Sequence, residues 1–235
     1  MIKFFRQLRQ RLLTENKISK YLLYAFGEIV LVVIGILIAL QINNWNDGRL
    51  QQIAAKTFYK NTIQQLMEDR RNLEGQIAYN NKDIKQFRYA IDLIEENTRS
   101  AKDSLWAITG KLADYSDFDR QGNLYETIVN SGDVKLLKNE EIKKRLRKLE
   151  ETYLYINRME TIHYNAIMQM IPEISKTIKI AYKEIIDEDL LYGSRFQNNF
   201  ALSLRVINEK EAVYLNGISQ IDALVALIEE EIKNL

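Results

Sequence analysis

Residues 21–42 read YLLYAFGEIVLVVIGILIALQI, an apolar run in which Glu28 is the single charged side chain. A helix of this length rises about 33 Å, which matches the ~30 Å hydrocarbon core of a bilayer. The many aliphatic side chains outweigh the cost of about 3 kcal/mol for one intramembrane acid. The stretch therefore predicts a transmembrane helix over 21–42, which divides the chain into a segment 1–20, the span, and a region 43–235.

Charge on either side of the span predicts its orientation. The basic residues that precede it are Lys3, Arg6, Arg9, Arg11, Lys17 and Lys20. Fewer follow it, so the positive-inside rule keeps the N-terminus in the cytoplasm. Trp45 follows the span at the level where indole rings anchor to headgroups. A cleaved signal peptide is the alternative, but IALQINNW offers no small-x-small cleavage site and the basic segment is long.

Segment 1–20 has an amphipathic pattern of its own. Drawn as a helix, its apolar side chains share one side: Phe4, Phe5, Leu8 and Leu12. Such a helix would lie on an anionic inner leaflet and bind membrane lipid. A basic topogenic tail without a binding role is the other interpretation, and the sequence leaves both open.

Glu28 belongs to a stripe of residues on one side of the predicted span. The stripe comprises Tyr24, Glu28, Val32, Gly35 and Ala39, related by steps of three and four. Gly35 and Ala39 have the small-xxx-small spacing that lets two transmembrane helices approach closely. An acid on that stripe is expected to face protein. The alternatives are an acid that reaches the cytoplasmic interface or stays protonated, and a proton-coupling role.

Residues 1–47 and a later segment, SGDVKLLKNEEIKKRL, carry a resemblance to a family. A basic start, a GEI-initiated apolar span and an INNWN exit resemble those of an uncharacterised family of single-pass bacterial membrane proteins. The resemblance implies an inner-membrane protein with a helical region on the periplasmic side. It supplies no activity and no catalytic residue.

The region after Trp45 repeats apolar residues in steps of three and four, which predicts a helix from about 50 to 97. The repeat consists of Ile63, Leu66, Leu73, Ile77, Ile84, Phe87, Ile91 and Ile94. Arg70 and Asn80 interrupt it, which favours packing within a bundle over a stable two-stranded coiled coil.

Glycines and a polar DYSDFDRQGN stretch break residues 99–138. Short helices are predicted at 103–112 and 123–131, the second ended by Gly132. Asn139, followed by two acids, predicts the start of a long helix. Its buried side is expected to comprise Ile142, Leu146, Leu149, Tyr153 and Ile156. Pro172 either kinks this helix or opens a new one to about Ile186.

A loop at DEDLLYGSRFQNN precedes a last predicted helix from about Phe200 to Asn234. Its expected buried stripe comprises Ile218, Ile221, Leu224, Ala226 and Ile228. Three long helices joined by polar turns predict an all-α fold, an elongated antiparallel bundle with short helices near one end. A four-helix bundle is the alternative.

His163 is the single histidine, and Glu160-x-x-His163 places a carboxylate and an imidazole on one helix face. Bundles that bind two metal ions use this unit twice, so one chain cannot complete such a site. A metal shared within a dimer is the one route left. A half-buried or surface histidine beside Tyr164 is the simpler interpretation.

Other chemistry finds little support in the sequence. The acid runs 187–189 and 229–231 lack a calcium-loop pattern and are explained as solvated faces. Without cysteine there are no thiolate ligands or disulfides. Phosphate-loop, nucleophile-elbow and dinucleotide motifs do not occur. We therefore expect no cofactor, no metal, no small-molecule substrate and no enzyme.

Lys and Arg number 33 against 32 Asp and Glu, so no global field favours nucleic acid. The predicted function is a membrane-anchored helical interaction or scaffold protein of the cell envelope. It would form a homo-oligomer, or bind a membrane-protein partner, through the transmembrane helix. Two alternatives are a sensory or regulatory subunit that signals through a membrane partner, and an accessory subunit of a transporter or proton-coupled complex that uses Glu28.

Overall fold

The computed structural model describes residues 18–118, Ile128, Asn130 and residues 135–235. The chain divides into two compact units, Met1–Ala54 and Ala55–Leu235. We call these the first and the second unit.

Some predictions fall on residues outside the described part. They are the amphipathic segment with its basic residues Lys3, Arg6, Arg9, Arg11 and Lys17, and most of the short helix predicted at 123–131, of which Ile128 and Asn130 are described and are helical. The backbone of Lys20 and Tyr24 is described, but their side chains are not.

The described residues are almost all helical. The α-helices are α1 (Ile18–Glu95), α2 (Lys102–Gly110), α3 (Glu140–Thr177), α4 (Glu188–Leu191) and α5 (Ser194–Asn234). Two 3₁₀ turns, Arg99–Ala101 and Lys111–Ala113, flank α2. A two-stranded antiparallel hairpin, β1 (Ile178–Lys179) and β2 (Glu184–Ile185), follows α3. The all-α class is confirmed, and the two helices predicted at 21–42 and 50–97 form parts of one helix, α1.

Within the second unit, α1 buries a seven-residue repeat. One buried row of the repeat is Tyr59, Leu66, Leu73, Asn80, Phe87 and Ile94. The second row of the repeat is Ala55, Thr62, Asp69, Asp83 and Ala90. The sequence pattern placed Ile63, Arg70, Ile77, Ile84 and Ile91 in that row, one residue too far along, and of these only Ile84 is buried. Ile63 and Ile77 pack at its edge.

Asn139 caps α3 as expected. Its side chain accepts hydrogen bonds from the backbone N–H groups of Glu141 (3.0 Å) and Ile142 (3.3 Å). All five apolar positions predicted for the buried side of α3 are buried. Pro172 does not open a new helix, because α3 continues through it and ends at Thr177.

The helix predicted to reach Ile186 is wrong, since residues 178–185 form the hairpin. The β-branched residues of this stretch, Ile178, Ile180 and Ile185, favour extended backbone. The carbonyl of Thr177 then accepts from the N–H groups of Ile186 (2.9 Å) and Asp187 (3.3 Å), which closes the end of α3.

The stretch predicted as a loop also contains helix. Asp187 caps α4 by accepting from the N–H of Leu190 at 2.8 Å. The last helix, α5, starts at Ser194 instead of Phe200 and buries Phe196 with its first turn. Ile221, Leu224 and Ile228 are buried as predicted, Ile218 packs at the edge of the core, and Ala226 is exposed.

The core of the second unit consists of two clusters. One joins early positions of α1 and α3 to late positions of α5, among them Leu66, Leu149 and Ile221. The other joins later positions of α1 and α3 to α2 and the start of α5, as at Phe87 and Phe200. In this unit α5 is therefore antiparallel to both α1 and α3. Near one end of this arrangement α2 packs in the second cluster, as predicted.

Candidate functional site

The apolar part of the first unit is exposed along its length. Within the helix beginning at Ala25, an 18-residue window has a mean hydropathy of 2.5 and none of it is buried. A second stretch, within Glu188–Asn234, passes the same test of length and composition with a mean hydropathy of 1.2, and 28 % of its window is buried. Exposed Ile, Leu and Val side chains need an apolar solvent or a partner, which is the condition that a bilayer supplies.

All five residues of the predicted stripe lie on α1. Glu28 is half-buried, Val32 is 54 % exposed, and Ala39 is exposed. A Cβ added at Gly35 would meet no atom within 4 Å, so the surface there is open to a close approach by another helix. The packing role of the stripe stays a prediction.

Trp45 stands at the end of the apolar stretch. Its ring is exposed, and the guanidinium of Arg49 lies 5.9 Å from the ring centroid, which is cation–π distance. Asn43 donates to Asp47 at 3.0 Å one turn away. This change from apolar to polar side chains within one turn is typical of a membrane interface.

The second unit contains a cluster of ionisable side chains that we call the buried polar centre. It consists of Glu160 and His163 on α3 and Lys210 and Tyr214 on α5. Each pair is spaced by three or four residues, so its members share one helix face. Because α3 and α5 are antiparallel, the two pairs face each other, and each of the four side chains is more than nine-tenths buried.

Lys210 is fully buried in this centre. Its Nζ donates to the backbone carbonyl of Ser116 at 3.0 Å and lies 3.2 Å from Nδ1 of His163. The rings of Tyr115 and Tyr214 have their centroids 5.8 and 5.9 Å from the ammonium. Burial lowers the pKa of Lys210, and the charge of Glu160 opposes that effect. The hydrogen bonds and ring faces partly replace the water that the ammonium has lost.

Glu160 binds the other end of the same backbone segment. Its Oε1 accepts from the N–H of Phe118 at 2.6 Å and from the hydroxyl of Tyr214 at 2.6 Å. Burial raises the pKa of Glu160, and these two hydrogen bonds act in the opposite direction. Burial and the bond to Glu160 both raise the pKa of Tyr214, so the phenol stays protonated.

His163 is 7 % exposed, so the expectation of a half-buried or surface histidine is wrong. Burial, and next the charge of Lys210, lower its pKa to about 4. The ring is therefore neutral at pH 7. An ammonium can only donate, so Nδ1 accepts from Lys210 and the ring proton lies on Nε2.

The buried polar centre is connected to α1 through aromatic contacts. The rings of Phe118 and Tyr153 have centroids 5.4 Å apart. The hydroxyl of Tyr153 donates to the buried Asp69 at 2.8 Å, and Gln65 donates to the other oxygen of Asp69 at 3.1 Å. Buried polar pairs thus link α1 to α3 through Asp69 and Tyr153, and α3 to α5 through Glu160 and Tyr214.

This geometry argues against a metal at the Glu160-x-x-His163 unit. The ammonium of Lys210 occupies Nδ1 of His163, and a cation repels a second cation at that distance. Within residues 18–118 and 135–235, no three His, Asp or Glu side chains are grouped so that they could hold a metal ion. What the centre does is bind the backbone of segment 114–118 to α3 and α5.

The acid run at 187–189 also has a structural role. Asp187 caps α4, and Glu188 accepts from Lys102 at 3.1 Å and lies 3.5 Å from Arg99. In the other run, Glu231 accepts from Asn139 at 2.8 Å.

Sequence reasoning found Glu160 and His163 but missed their partners on α5. A signal was present, because the buried stripe of α5 continues in steps of three and four through Ile207, Lys210, Tyr214 and Gly217. A lysine on an otherwise apolar stripe predicts a buried cation with partners on the facing helix.

A protein family of unknown function, DUF6090, matches residues 28–204. The chain belongs to this family. The match begins at Glu28, within the apolar stretch, and includes the rest of that stretch, α2, α3 and the hairpin, which confirms the expected membership of an uncharacterised family. No curated protein and no solved structure matches the chain.

Proposed function

We propose that the chain is a non-enzymatic, membrane-anchored interaction protein of the bacterial cell envelope. The observation that carries the proposal is the first unit's apolar stretch, an 18-residue window of mean hydropathy 2.5 with none of its surface buried. A helix of this length and composition is favoured in a bilayer core over water. The span would cross the inner membrane once, with the N-terminus in the cytoplasm and the second unit in the periplasm.

The second unit supports an interaction role over a catalytic one. Its best cluster of acid–base groups, the buried polar centre, is covered on all four side chains, and its donors and acceptors bind segment 114–118. A catalytic group must come within hydrogen-bond reach of its substrate. A buried and mutually paired centre instead stabilises one arrangement of the helices.

The packing of α5, which contains the second candidate stretch, favours a single crossing of the membrane. The same helix supplies Tyr214, Ile221 and Leu224 to the core of the second unit and buries Lys210 among polar partners. Moving α5 into lipid would expose that ammonium to hydrocarbon, at a cost of several kcal/mol.

Membrane anchoring is tested with the full chain by alkaline carbonate extraction of membranes. The chain should stay in the pellet. Val33→Arg together with Leu37→Arg should release it, because each central arginine costs about 3 kcal/mol. Leu202→Arg with Leu215→Arg is the matched control, since both leucines are exposed in the second unit. Release of the parent chain, or retention of the first variant, would contradict the proposal.

Orientation can be measured directly because the chain has no cysteine. Two variants, Gln7→Cys and Asn234→Cys, each carry a single cysteine. Spheroplasts that contain one or the other variant are treated with a membrane-impermeant maleimide, which labels only cysteines on the outer side of the inner membrane. Labelling of the Asn234→Cys chain alone supports a cytoplasmic N-terminus. Labelling of the Gln7→Cys chain alone would reverse the topology.

A further inference from the structure

An open groove of about 410 Å³ lies between α3 and α5 of the second unit. Its α3 wall carries Lys144, Arg145 and Lys148, and its α5 wall carries short polar side chains, including Asn216 and Ser219. Its volume falls within the range of 300–1,000 Å³ that is typical of small-molecule sites.

The α3 wall has an excess of positive charge. Arg145 donates through Nε to Glu141, the one acid that lines the groove, at 2.9 Å. In the part of the chain that the structure describes, neither Lys144 nor Lys148 has a carboxylate within 4.0 Å. The three cations and one carboxylate leave the groove with a net charge of about +2 at neutral pH.

The arrangement of the two lysines costs helix stability. Lys144 and Lys148 are four residues apart, so their side chains are neighbours on one face of α3. Like charges at this spacing destabilise a helix by roughly 0.2–0.5 kcal/mol. An anion between them would replace that repulsion by attraction.

The α5 wall offers neutral donors opposite the lysines. Asn216 carries an amide and Ser219 a hydroxyl, and both are exposed in the groove. Gln220, at the same wall, exchanges hydrogen bonds with Thr152 at 2.9 and 3.2 Å, which fixes α5 against α3. Ammonium groups on one side and amide and hydroxyl donors on the other are the groups that bind phosphate oxygens.

The geometry points to a binding site for a phosphate-bearing anion with about two negative charges. A phosphate monoester carries about −1.5 to −2 at pH 7, which complements the charge of the groove. A soluble phosphate monoester has this charge. An anionic phospholipid headgroup such as phosphatidylglycerol is a phosphodiester with one negative charge, and it would bind through the same phosphate oxygens. The site lies outside the proposed anchoring role, and neither depends on the other.

The test uses the full chain in neutral detergent micelles at low ionic strength, where surface electrostatics are strongest. Isothermal titration calorimetry with inorganic phosphate and with pyrophosphate probes the soluble source. Thermal unfolding in mixed micelles with phosphatidylglycerol, compared with phosphatidylcholine, probes the lipid source. The variant is Lys144→Gln with Lys148→Gln. Its control is Lys60→Gln with Lys85→Gln, which removes the same charge from exposed positions on α1.

Binding of phosphate or pyrophosphate that weakens tenfold or more in the groove variant, and not in the control, supports a soluble ligand. Stabilisation by phosphatidylglycerol alone that is lost in the groove variant and kept in the control supports a lipid headgroup. Equal responses of all three proteins, or no response to any probe, would overturn the proposal.

Discussion

His163 should make the stability of the second unit depend on pH between 4 and 6.5. In the folded chain its pKa is lowered to about 4, by burial first and by Lys210 second, from an ordinary value of 6.5. The unfolded chain therefore binds more protons in this window. Stability is fully present above pH 6.5 and is lost as the pH falls through the window towards 4.

The size of the effect follows from the shift in pKa. One unit corresponds to about 1.4 kcal/mol, so the loss approaches about 3 kcal/mol at the acid end. At pH 5.5 it should be roughly 1 kcal/mol and at pH 4.5 roughly 2–3 kcal/mol. That is a large part of the 5–15 kcal/mol by which a typical domain is stable.

Other groups titrate in the same range, so a difference between two chains is needed. The raised pKa of Glu160 favours folding as the pH falls, which opposes the histidine. The lowered pKa values of Glu141, Glu173 and Glu188 act in the same direction as the histidine. His163→Asn leaves these groups in place and offers an amide oxygen near the position of Nδ1, but it does not titrate.

The assay is urea unfolding of both chains in detergent micelles, followed by far-ultraviolet circular dichroism at pH 7.0, 5.5 and 4.5. The smaller asparagine should lower stability by an amount that does not vary with pH. The free energy of unfolding of the parent chain should therefore exceed that of the variant most at pH 7.0, and the difference should shrink as the pH falls. A difference that is constant from pH 7.0 to 4.5 would refute the reasoning. Because the chain has one histidine, labelling with ¹³C at Cε1 of the ring gives a single resonance whose titration checks the pKa directly.

Three further predictions concern packing. Gly35→Ile or Ala39→Ile should weaken association of the full chain in mild detergent, measured as the mass of the complex. Leu37→Ile, which lies off the stripe, should not. An unchanged mass in both stripe variants would show that the stripe is not a helix-packing surface. Gly217→Val should lower the free energy of unfolding by about 1–3 kcal/mol, because a Cβ there already lies 3.2 Å from a leucine methyl of α1; unchanged urea stability would show that α5 can shift. In a Glu231→Gln background, which avoids placing two carboxylates together at positions 139 and 231, Asn139→Ala should cost about 1 kcal/mol through the lost cap of α3, whereas Asn139→Asp should retain the cap. Equal losses in both would contradict the capping role.

Local signals predicted much of the fold. The cap at Asn139 depends on neighbours within three residues, and the apolar run of the first unit on composition alone, so both were readable. The hairpin at 178–185 was missed because its isoleucines also suit a helical stripe. The choice between the two depends on contacts such as the Thr177 carbonyl with Ile186, which no local pattern contains.

The register of α1 was missed for a related reason. Counting apolar residues favours Ile63 and Ile77, but the fold buries Thr62 and Asp69 more deeply. Asp69 can be buried because Tyr153, 84 positions away in sequence, donates to it. Polar partners supplied by distant segments decide the packing here, and a single sequence does not display them.

The buried polar centre also explains how α3 and α5 hold one register. Their apolar stripes repeat every seven residues, so a slide by one heptad would still bury apolar groups. The slide would place Lys210 opposite Ile156 or Met170 in place of His163, and a buried ammonium without its partners costs several kcal/mol. We infer that the centre specifies the register, as buried polar residues do in coiled coils.

Replacing Lys210, His163 and Glu160 together by Met, Leu and Gln should then allow α3 and α5 to slide past each other by one heptad. Cysteines at Thr152 and Leu227, one heptad beyond the native contact of Thr152 with Gln220, should cross-link in that variant and not in the parent. A second cysteine pair, at Thr152 and Gln220, reports the native register. Cross-linking of that pair alone in both backgrounds would show that apolar packing alone sets the register.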